Sequence, residues 1–364
     1  MLARLVFFFC KLIFPRKYFD DIFIAKVFTQ DNLKVRNLRK TLWCFARGFL
    51  PYEYNWYDLA TNDYRNYVPT RNSYQNRSLN GVYNAILGNK LLFEKHLKAT
   101  IRGIDGLHVV ESIGLIEEGF LYSLNNDLLQ GDYTSLIQIL DKNDLVLKPL
   151  SEDGGVGVFL IRKVDDHYFI NNIKAGWEEV VDRLGNLDGY LIQVKFAQRG
   201  FSNMIYSGSV NTMRIATMID PLTHNPFIAY AVHRFGSASS VFIDNVNQGG
   251  ITALINLDDG RLGKGLRCSF SEPEKEVFES HPSSSMPIFN EKVPDWVNLK
   301  NRITLMAGRM PYLKYAGWDI ILSDGELFLL EGNVSPGLGL IQMFKPMSEF
   351  PEAWNFFKHY KYVE

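Results

Sequence analysis

Cysteine is scarce. Cys10, Cys44 and Cys268 are the three in 364 residues, too few and too scattered for a disulfide framework or a thiolate metal site, and a reducing cytoplasm is the natural reading. Excess charge is missing too: the formal net charge is −1 at pH 7, so no global basic field argues for nucleic acid as a partner. No apolar run is long and clean enough to span a bilayer. The nearest, MLARLVFFFCKLIFPRKYF at 1–19, is broken by Arg4, Lys11, Arg16 and Lys17, and no small-residue cleavage site follows it. Its basic and aromatic residues suit a helix lying weakly on the inner face of a membrane; a helix packed on its own domain is the preferred reading. Repeats and low-complexity tracts are absent, which argues against a solenoid. No Gly-Lys-Ser/Thr phosphate loop, Ser/His/Asp triad or reactive cysteine is apparent.

What is present is an ordinary globular composition, 46% hydrophobic and 22% charged, with enough apolar residues for a core split over two or three lobes. Residues 1–80 are rich in Tyr, Asn and Arg. Basic and aromatic interleaving there could grip single-stranded nucleic acid, but without a stacking motif it reads as a packed helical subdomain. From 81 the texture changes. LNGVYNAILGNKLLFEKHLKA reads as a helix, DLVLKPL, GVGVFLIRKV and GYLIQVKFA as strands, and WEEVVDRL as a helical turn or two. TMRIATMID, IAYAVHRFG and GGITALINL follow as strands, then a helix near 296–310. The mix predicts an α+β architecture with antiparallel sheets, without the regular alternation of a doubly wound sheet.

Three constellations carry chemistry. Lys148 ends a strand and is followed by Gly154, Gly155, Val156 and Gly157, a glycine-dense turn that can lay backbone N–H groups over phosphate oxygens beside an ammonium; a plain hairpin turn explains the glycines equally well. WDIILSDGELFLLEGNVSPG (318–337) holds two apolar runs bracketed by Asp319 and Glu331, where ionised carboxylates are costly unless paired or metal-bound. A three-residue Ser323-Asp324-Gly325 loop puts 319 across from 329 and both acids diagonally on one face. A two-residue Asp-Gly turn would put them on opposite faces. The one-face arrangement, joined by Asn333, is a hard oxygen cluster suited to Mg²⁺. Arg214, inside SVNTMRIATMID, shares a face with Thr212 and Ala216, and there could stabilise a phosphoryl group in transfer.

Taken in order, GNK with Lys90, LVLKPL, GGVGV, YLIQ with Gln193, SVNTMRI, NQGGI, HPSSSMPIFNEKVPDW and GWDIILSDGELFLLEGNVSPG resemble the ATP-grasp enzymes, most closely the sugar-transfer-associated group found with surface-polysaccharide genes. The resemblance runs from about 80 to 345; the first 80 residues match loosely. It implies two α+β lobes gripping ATP behind an N-terminal mainly helical subdomain: 1–80, then 81–195 with the glycine lid, then 196–364 with the metal and acceptor sites. Lys90 and Lys148 would contact the ATP phosphates under the 154–157 lid. Gln193, Val194 and Lys195 would receive adenine, although many relatives carry Glu where Gln193 stands. Asp319, Glu331 and Asn333 would hold Mg²⁺, as two ions with Glu331 bridging. Arg214 would meet the γ-phosphate and the acyl phosphate formed from it, with Lys148 its catalytic partner. Asn211, Gly249, Gly250, Ser335 and Gly337 would join Arg214 in the acceptor pocket.

The implied activity is ATP-dependent ligation of a small-molecule carboxylate to an amine, a sugar or amino acid, beside polysaccharide-biosynthesis enzymes. A phosphotransferase acting on a non-carboxylate acceptor and a non-catalytic nucleotide-binding partner of a glycosyltransferase are the alternatives. Retention of both lysines, the glycine loop and all three ligand candidates disfavours the last. His233 and His281 are tempting bases, but single histidines near turns are more often structural, and both stay outside the catalytic set.

Overall fold

The computed structural model describes residues 37–75, 79–125, 131–151, 155–238, 244–268, 274–334 and 336–364, together with Phe23 and Val27. The segment 1–19, Gly154 and Ser335 lie outside the described residues.

The described strands form two sheets. The smaller takes β2 (Gly114–Glu117), β3 (Phe120–Ser123), β4 (Leu145–Pro149), β5 (Phe159–Val164), β6 (His167–Ile170), β7 (Ile173–Ala175) and β8 (Tyr190–Val194), in the order β3-β2-β8-β4-β5-β6-β7. The larger takes β1 (Leu107–Val109), β9 (Thr212–Ile219), β10 (Pro226–Phe235), β11 (Ile251–Ile255), β12 (Leu262–Arg267), β13 (Glu276–Phe278), β14 (Tyr315–Ser323) and β15 (Glu326–Asn333), in the order β1-β15-β14-β9-β10-β11-β12-β13. Pairing is antiparallel except for β1, which runs parallel to β15 and so joins the larger sheet from within the 81–195 stretch. The architecture is α+β, as the pattern of elements predicts.

The longer helices are α1 (Leu38–Arg47), α2 (Lys90–Thr100), α3 (Trp177–Gly185), α4 (Trp296–Gly308) and α5 (Pro351–His359). α4 packs Trp296, Leu299, Ile303 and Met306 under one face of the larger sheet, against Met213, Ile215, Trp318 and Ile320. α5 packs Ala353, Phe356 and Phe357 over the other, against Ala216, Met218, Tyr230 and Tyr315. Every residue of β9 and β14 is therefore buried. Near-continuous apolar runs are what a strand covered on both faces requires, and Arg214 and Asp319 interrupt them on the α5 side.

The expected single helix through 79–99 is broken. A 3₁₀ turn at Gly81–Tyr83 and a short helix at Asn84–Gly88 precede α2. Asn89 takes extended backbone angles, and its side chain accepts the N–H groups of Leu91 and Leu92; this N-cap starts a new helix where periodicity alone suggests a continuation. The aromatic stretch after residue 50 folds into short helices at Glu53–Trp56 and Thr70–Gln75. Together with α1 these bury Phe49, Trp56 and Tyr57 against Leu266, Cys268 and Met343. Burial pushes the Cys44 thiol up to about 12 and that of Cys268 to about 11, so neither is a ready nucleophile. No helix among the described residues is long and apolar enough to cross a membrane.

Candidate functional site

The β14–β15 hairpin corrects the expected loop and keeps its consequence. Ser323 pairs with Glu326, and Asp324 and Gly325 both have positive φ, 49° and 81°, so the connection is the two-residue Asp-Gly turn whose backbone twist matches the strands. Uninterrupted, that register would set Leu330 opposite Asp319 and turn Glu331 away. The register shifts between Asp319 and Ile320 instead, and Asp319 pairs with Glu331, Trp318 with Gly332 and Gly317 with Asn333. Leu330 is the extra residue of a β-bulge, which re-aims every side chain beyond it. Asp319, Glu331 and Asn333 thus share one face.

Asp319 is 1% exposed and meets two arginines. Arg214, its cross-strand partner on β9, bonds it through Nε to Oδ1 and through Nη2 to Oδ2, the latter at 3.0 Å. Arg234 on β10 donates Nη2 to Oδ2 at 2.7 Å and also spans the Thr212 hydroxyl with Nε at 3.1 Å and Nη2 at 2.6 Å. Asp244 closes the group: its Oδ2 accepts from Thr212 N and Oγ1 at 2.8 and 2.6 Å, and its Oδ1 lies 3.4 Å from Arg234. Burial drives Asp319 toward the neutral form, but the charges of Arg214 and Arg234 outweigh it and hold the carboxyl well below the usual range. Sequence reasoning missed Arg234 and Asp244. Alternation places Arg234 two residues from Val232, the partner of Arg214, so a face assignment extended to β10 would have found the arginine.

The lysines enter from the other sheet and from α2. Lys148 is on β4, 6% exposed, and Lys90 opens α2 with its N–H on Leu150 O at 2.9 Å. Gly332 makes the approach of α2 possible: a Cβ there would sit 2.6 Å from Leu87 and 2.9 Å from Phe93. Burial lowers Lys148 to about 8, aided by Lys90 and opposed by Glu331 and Glu94. Burial raises Glu331 to about 7, and Asp319 opposite raises it further against the pull of Lys90 and Lys148. Two lysines, two arginines and the Asp319–Glu331 pair therefore converge electrostatically.

The remaining predicted residues divide. Gly155, Val156 and Gly157 lie in the β4–β5 connection; Gly155 and Gly157 have φ of 77° and 74°, and Val156 is exposed. Gln193 is buried on β8, with its amide donated to Val110 O and Ser112 Oγ, both at 3.2 Å, so its side chain is spent inside the protein. Val194 is half-buried, and Lys195 donates its N–H to Asp144 O. Asn211 is fully buried, and its side chain serves Ser202 O, Tyr206 O, Ser209 Oγ and Gly236 N. It braces the start of β9 from inside the protein. Gly249 and Gly250 turn the chain into β11, and a Cβ on Gly250 would stand 2.5 Å from Asp244 O. Gly337 is exposed, with open space around it.

His233 and His281 are structural. The ring of His233, pushed down to about 3 by burial, lies between Ser202 Oγ and Arg234 O. His281 takes the N–H groups of Ser283 and Ser284 on Nδ1 and lies 2.7 Å from Gly236 O through Nε2.

Residues 71–356 match the family model described as sugar-transfer associated ATP-grasp. The chain belongs to this family. No curated protein matches it in sequence. Among solved structures, an ADP complex of N5-carboxyaminoimidazole ribonucleotide synthetase aligns at 10% identity and a TM-score of 0.37, covering 69% of this chain and 45% of that one. D-alanyl-alanine synthetase A from Vibrio cholerae aligns at 10% and 0.40, covering 72% and 60%. The biotin carboxylase domain of Hydrogenobacter thermophilus 2-oxoglutarate carboxylase, complexed with MgADP, ADP and bicarbonate, aligns at 12% and 0.37, covering 72% and 46%. The chain thus spans less than two thirds of each of these three, and likenesses of this size carry no argument about activity.

An ATP-grasp protein implies a divalent cation, and the residues present fit one. Asp319, Glu331 and Asn333 offer hard oxygens on one face, Asn333 Nδ2 lies 3.4 Å from Asp319 Oδ1, and the half-buried Glu331 carboxyl is pushed up to about 7, first by desolvation and then by the charge of Asp319, which a divalent cation would relieve. No group of three His, Cys, Asp or Glu side chains among the described residues offers a different metal site.

Proposed function

We propose that the protein is an ATP-dependent carboxylate–amine ligase working through an acyl phosphate, in surface-polysaccharide biosynthesis. The observation that carries this reading is the convergence of Lys148 from the smaller sheet and Arg214 from the larger on the Asp319–Glu331 pair. The two sheets act as gripping lobes, with β1 the segment before residue 195 that belongs to the second. Lys90 and Lys148 neutralise the triphosphate, and the glycine connection through 155–157 covers it. Asp319, Glu331 and Asn333 would hold Mg²⁺, which would supply charge neutralisation to the phosphates. The backbone of 193–195 takes the adenine, since the Gln193 amide is already engaged.

The substrate carboxylate attacks the γ-phosphorus, the bond to the ADP oxygen breaks, and an acyl phosphate forms. An amine then displaces phosphate and loses a proton to give the amide. Arg214 stabilises the transferring group, and the protein contributes placement and charge without a covalent nucleophile. Gly249, Gly250, Ser335 and Gly337 border the acceptor.

The test is ADP formation from MgATP with a panel of amino acids and sugar acids, using hydroxylamine as a surrogate amine. Acid-dependent ADP together with an acyl hydroxamate, both absent in Glu331→Gln, is the expected result. ADP formed with a phosphorylated hydroxyl product would replace the ligase by a phosphotransferase, and ATP binding without turnover for any acceptor would leave only a nucleotide sensor.

A further inference from the structure

Among the described strands the chain passes between the two sheets twice, and each passage is short. On the first, Val110 donates its N–H to Leu329 O in the larger sheet and Ile113 donates its own to Ile192 O in the smaller, at 2.9 and 2.8 Å, which leaves Glu111 and Ser112 to cross. On the second, Lys195 N is tied to Asp144 O on the smaller-sheet side. Gln198 donates to Asn211 O and Leu322 O, and Arg199 N to Ser323 Oγ, in the larger sheet, which leaves Phe196 and Ala197. Relative motion of the sheets would concentrate in these two short stretches. Ser112 is nevertheless fully buried, and its N–H, carbonyl and hydroxyl are all engaged. The N–H goes to Glu94 Oε2 at 2.9 Å, the carbonyl accepts from Asn125 Nδ2 at 3.0 Å, and the hydroxyl accepts from Gln193 Nε2 at 3.2 Å. The same Gln193 amide reaches Val110 O at 3.2 Å. Glu94 stands one helical turn beyond Lys90 on α2 and is 2% exposed. An ionised carboxylate there is costly unless hydrogen-bonded, and its bonds go to Ser112 N and, at 3.3 Å, to Asn125 Nδ2. Gln193 comes from β8, the strand whose Leu191 pairs with Lys148. The clamp on Ser112 thus joins the helix that carries Lys90 to the strand beside Lys148.

We infer that Glu94 and Gln193 are positioning residues for the nucleotide site: clamped on Ser112, they fix how the smaller sheet, and Lys148 with it, stands against Glu331 on the larger. The inference rests on the proposed function, which puts the nucleotide between the two sheets. Gln193 needs its amide for this task, because a carboxylate at 193 has no N–H to give Val110 O and Ser112 Oγ.

Spin labels read the clamp without a substrate. The full chain carries Cys10→Ser, and the remaining Cys44 and Cys268 are buried. Nitroxides on Ile173→Cys in β7 and Leu222→Cys in the β9–β10 turn, both exposed positions, report the sheet-to-sheet distance by pulsed EPR. The expected result is one narrow distribution in the labelled protein, a broader one on adding Glu94→Ala or Gln193→Met, and a return to near the narrow width in Glu94→Gln, which keeps an acceptor for Ser112 N. MgADP affinity by calorimetry falls at least about threefold in the two broadened variants, since only the competent fraction binds, and saturating MgADP narrows their distributions again. Equal widths in all four proteins would overturn the inference, as would broadening with MgADP affinity unchanged. Gln193→Met keeps the side-chain length and loses only the polar groups, so it decides the question where Glu94→Ala fails to fold. Absence of MgADP binding in the labelled protein would remove the proposed function, while the label widths still decide the clamp.

Discussion

Asp319 and Glu331 stand directly opposite one another because Leu330 is an extra residue in the β14–β15 ladder. The two-residue turn and the bulge are coupled: either alone would send Glu331 to the other face, since side-chain direction alternates along a strand. Inserting one alanine after Leu330 therefore turns Glu331 and Asn333 away and abolishes MgATP binding. Deleting Leu330 leaves Glu331 opposite Asp319 in an unbulged hairpin and retains binding within about tenfold. Calorimetry on both variants checks this, and equal loss in the two would show that register is not what matters.

The Asp319 carboxylate is the shared counter-ion of two buried arginines. Asp319→Asn strands both guanidinium groups, and removing one partner of a buried ion pair costs about 3–5 kcal/mol. Urea unfolding measures it. A loss below about 1 kcal/mol would mean that solvent or Asp244 already carries the arginines.

Much of this site is legible in the primary structure, and the part that is not has identifiable causes. The acids bracketing apolar runs, the Lys148 strand end and the placement of Arg214 beside Thr212 all follow from charge burial and period-two alternation. The bulge does not, because Leu329 and Leu330 are interchangeable to a hydrophobic pattern and only the ladder distinguishes them. Arg234 is hidden by its setting: in IAYAVHRFG a charge near the end of an apolar run looks like a strand leaving the core, yet β10 is central in its sheet. The break at Asn89 needed cap chemistry, which periodicity does not report.

Glu53 gives the N-terminal subdomain a pH signature. Its carboxyl is 1% exposed, accepts from Leu50 N, Tyr57 Oη and Thr70 Oγ1, and is raised by burial to about 7 despite those bonds. A raised folded value means that its stabilisation is complete below the ordinary carboxylate range and is lost as pH climbs through about 7. Relative to Glu53→Gln, the protein loses on the order of 3 kcal/mol between pH 4.5 and 7.5. Urea midpoints across that range test it; parallel pH curves for the two proteins would contradict it.

Lys148, lowered to about 8 by burial, is partly neutral in the free protein at pH 8.5, and phosphate favours its charged form. Binding of metal-free ADP at that pH takes up roughly half a proton or more. Calorimetry in buffers of different ionisation enthalpy reads the uptake, and Lys148→Met abolishes it. Uptake that survives the substitution would assign the proton elsewhere.

The central claim is that Lys148 from one sheet and Glu331 from the other close on a single nucleotide. Its most direct measurement is MgATP affinity by calorimetry for the unsubstituted protein, Lys148→Met and Glu331→Gln. The account predicts one site, weakened at least about tenfold by either substitution; absence of MgATP binding, or affinity indifferent to both substitutions, would contradict it.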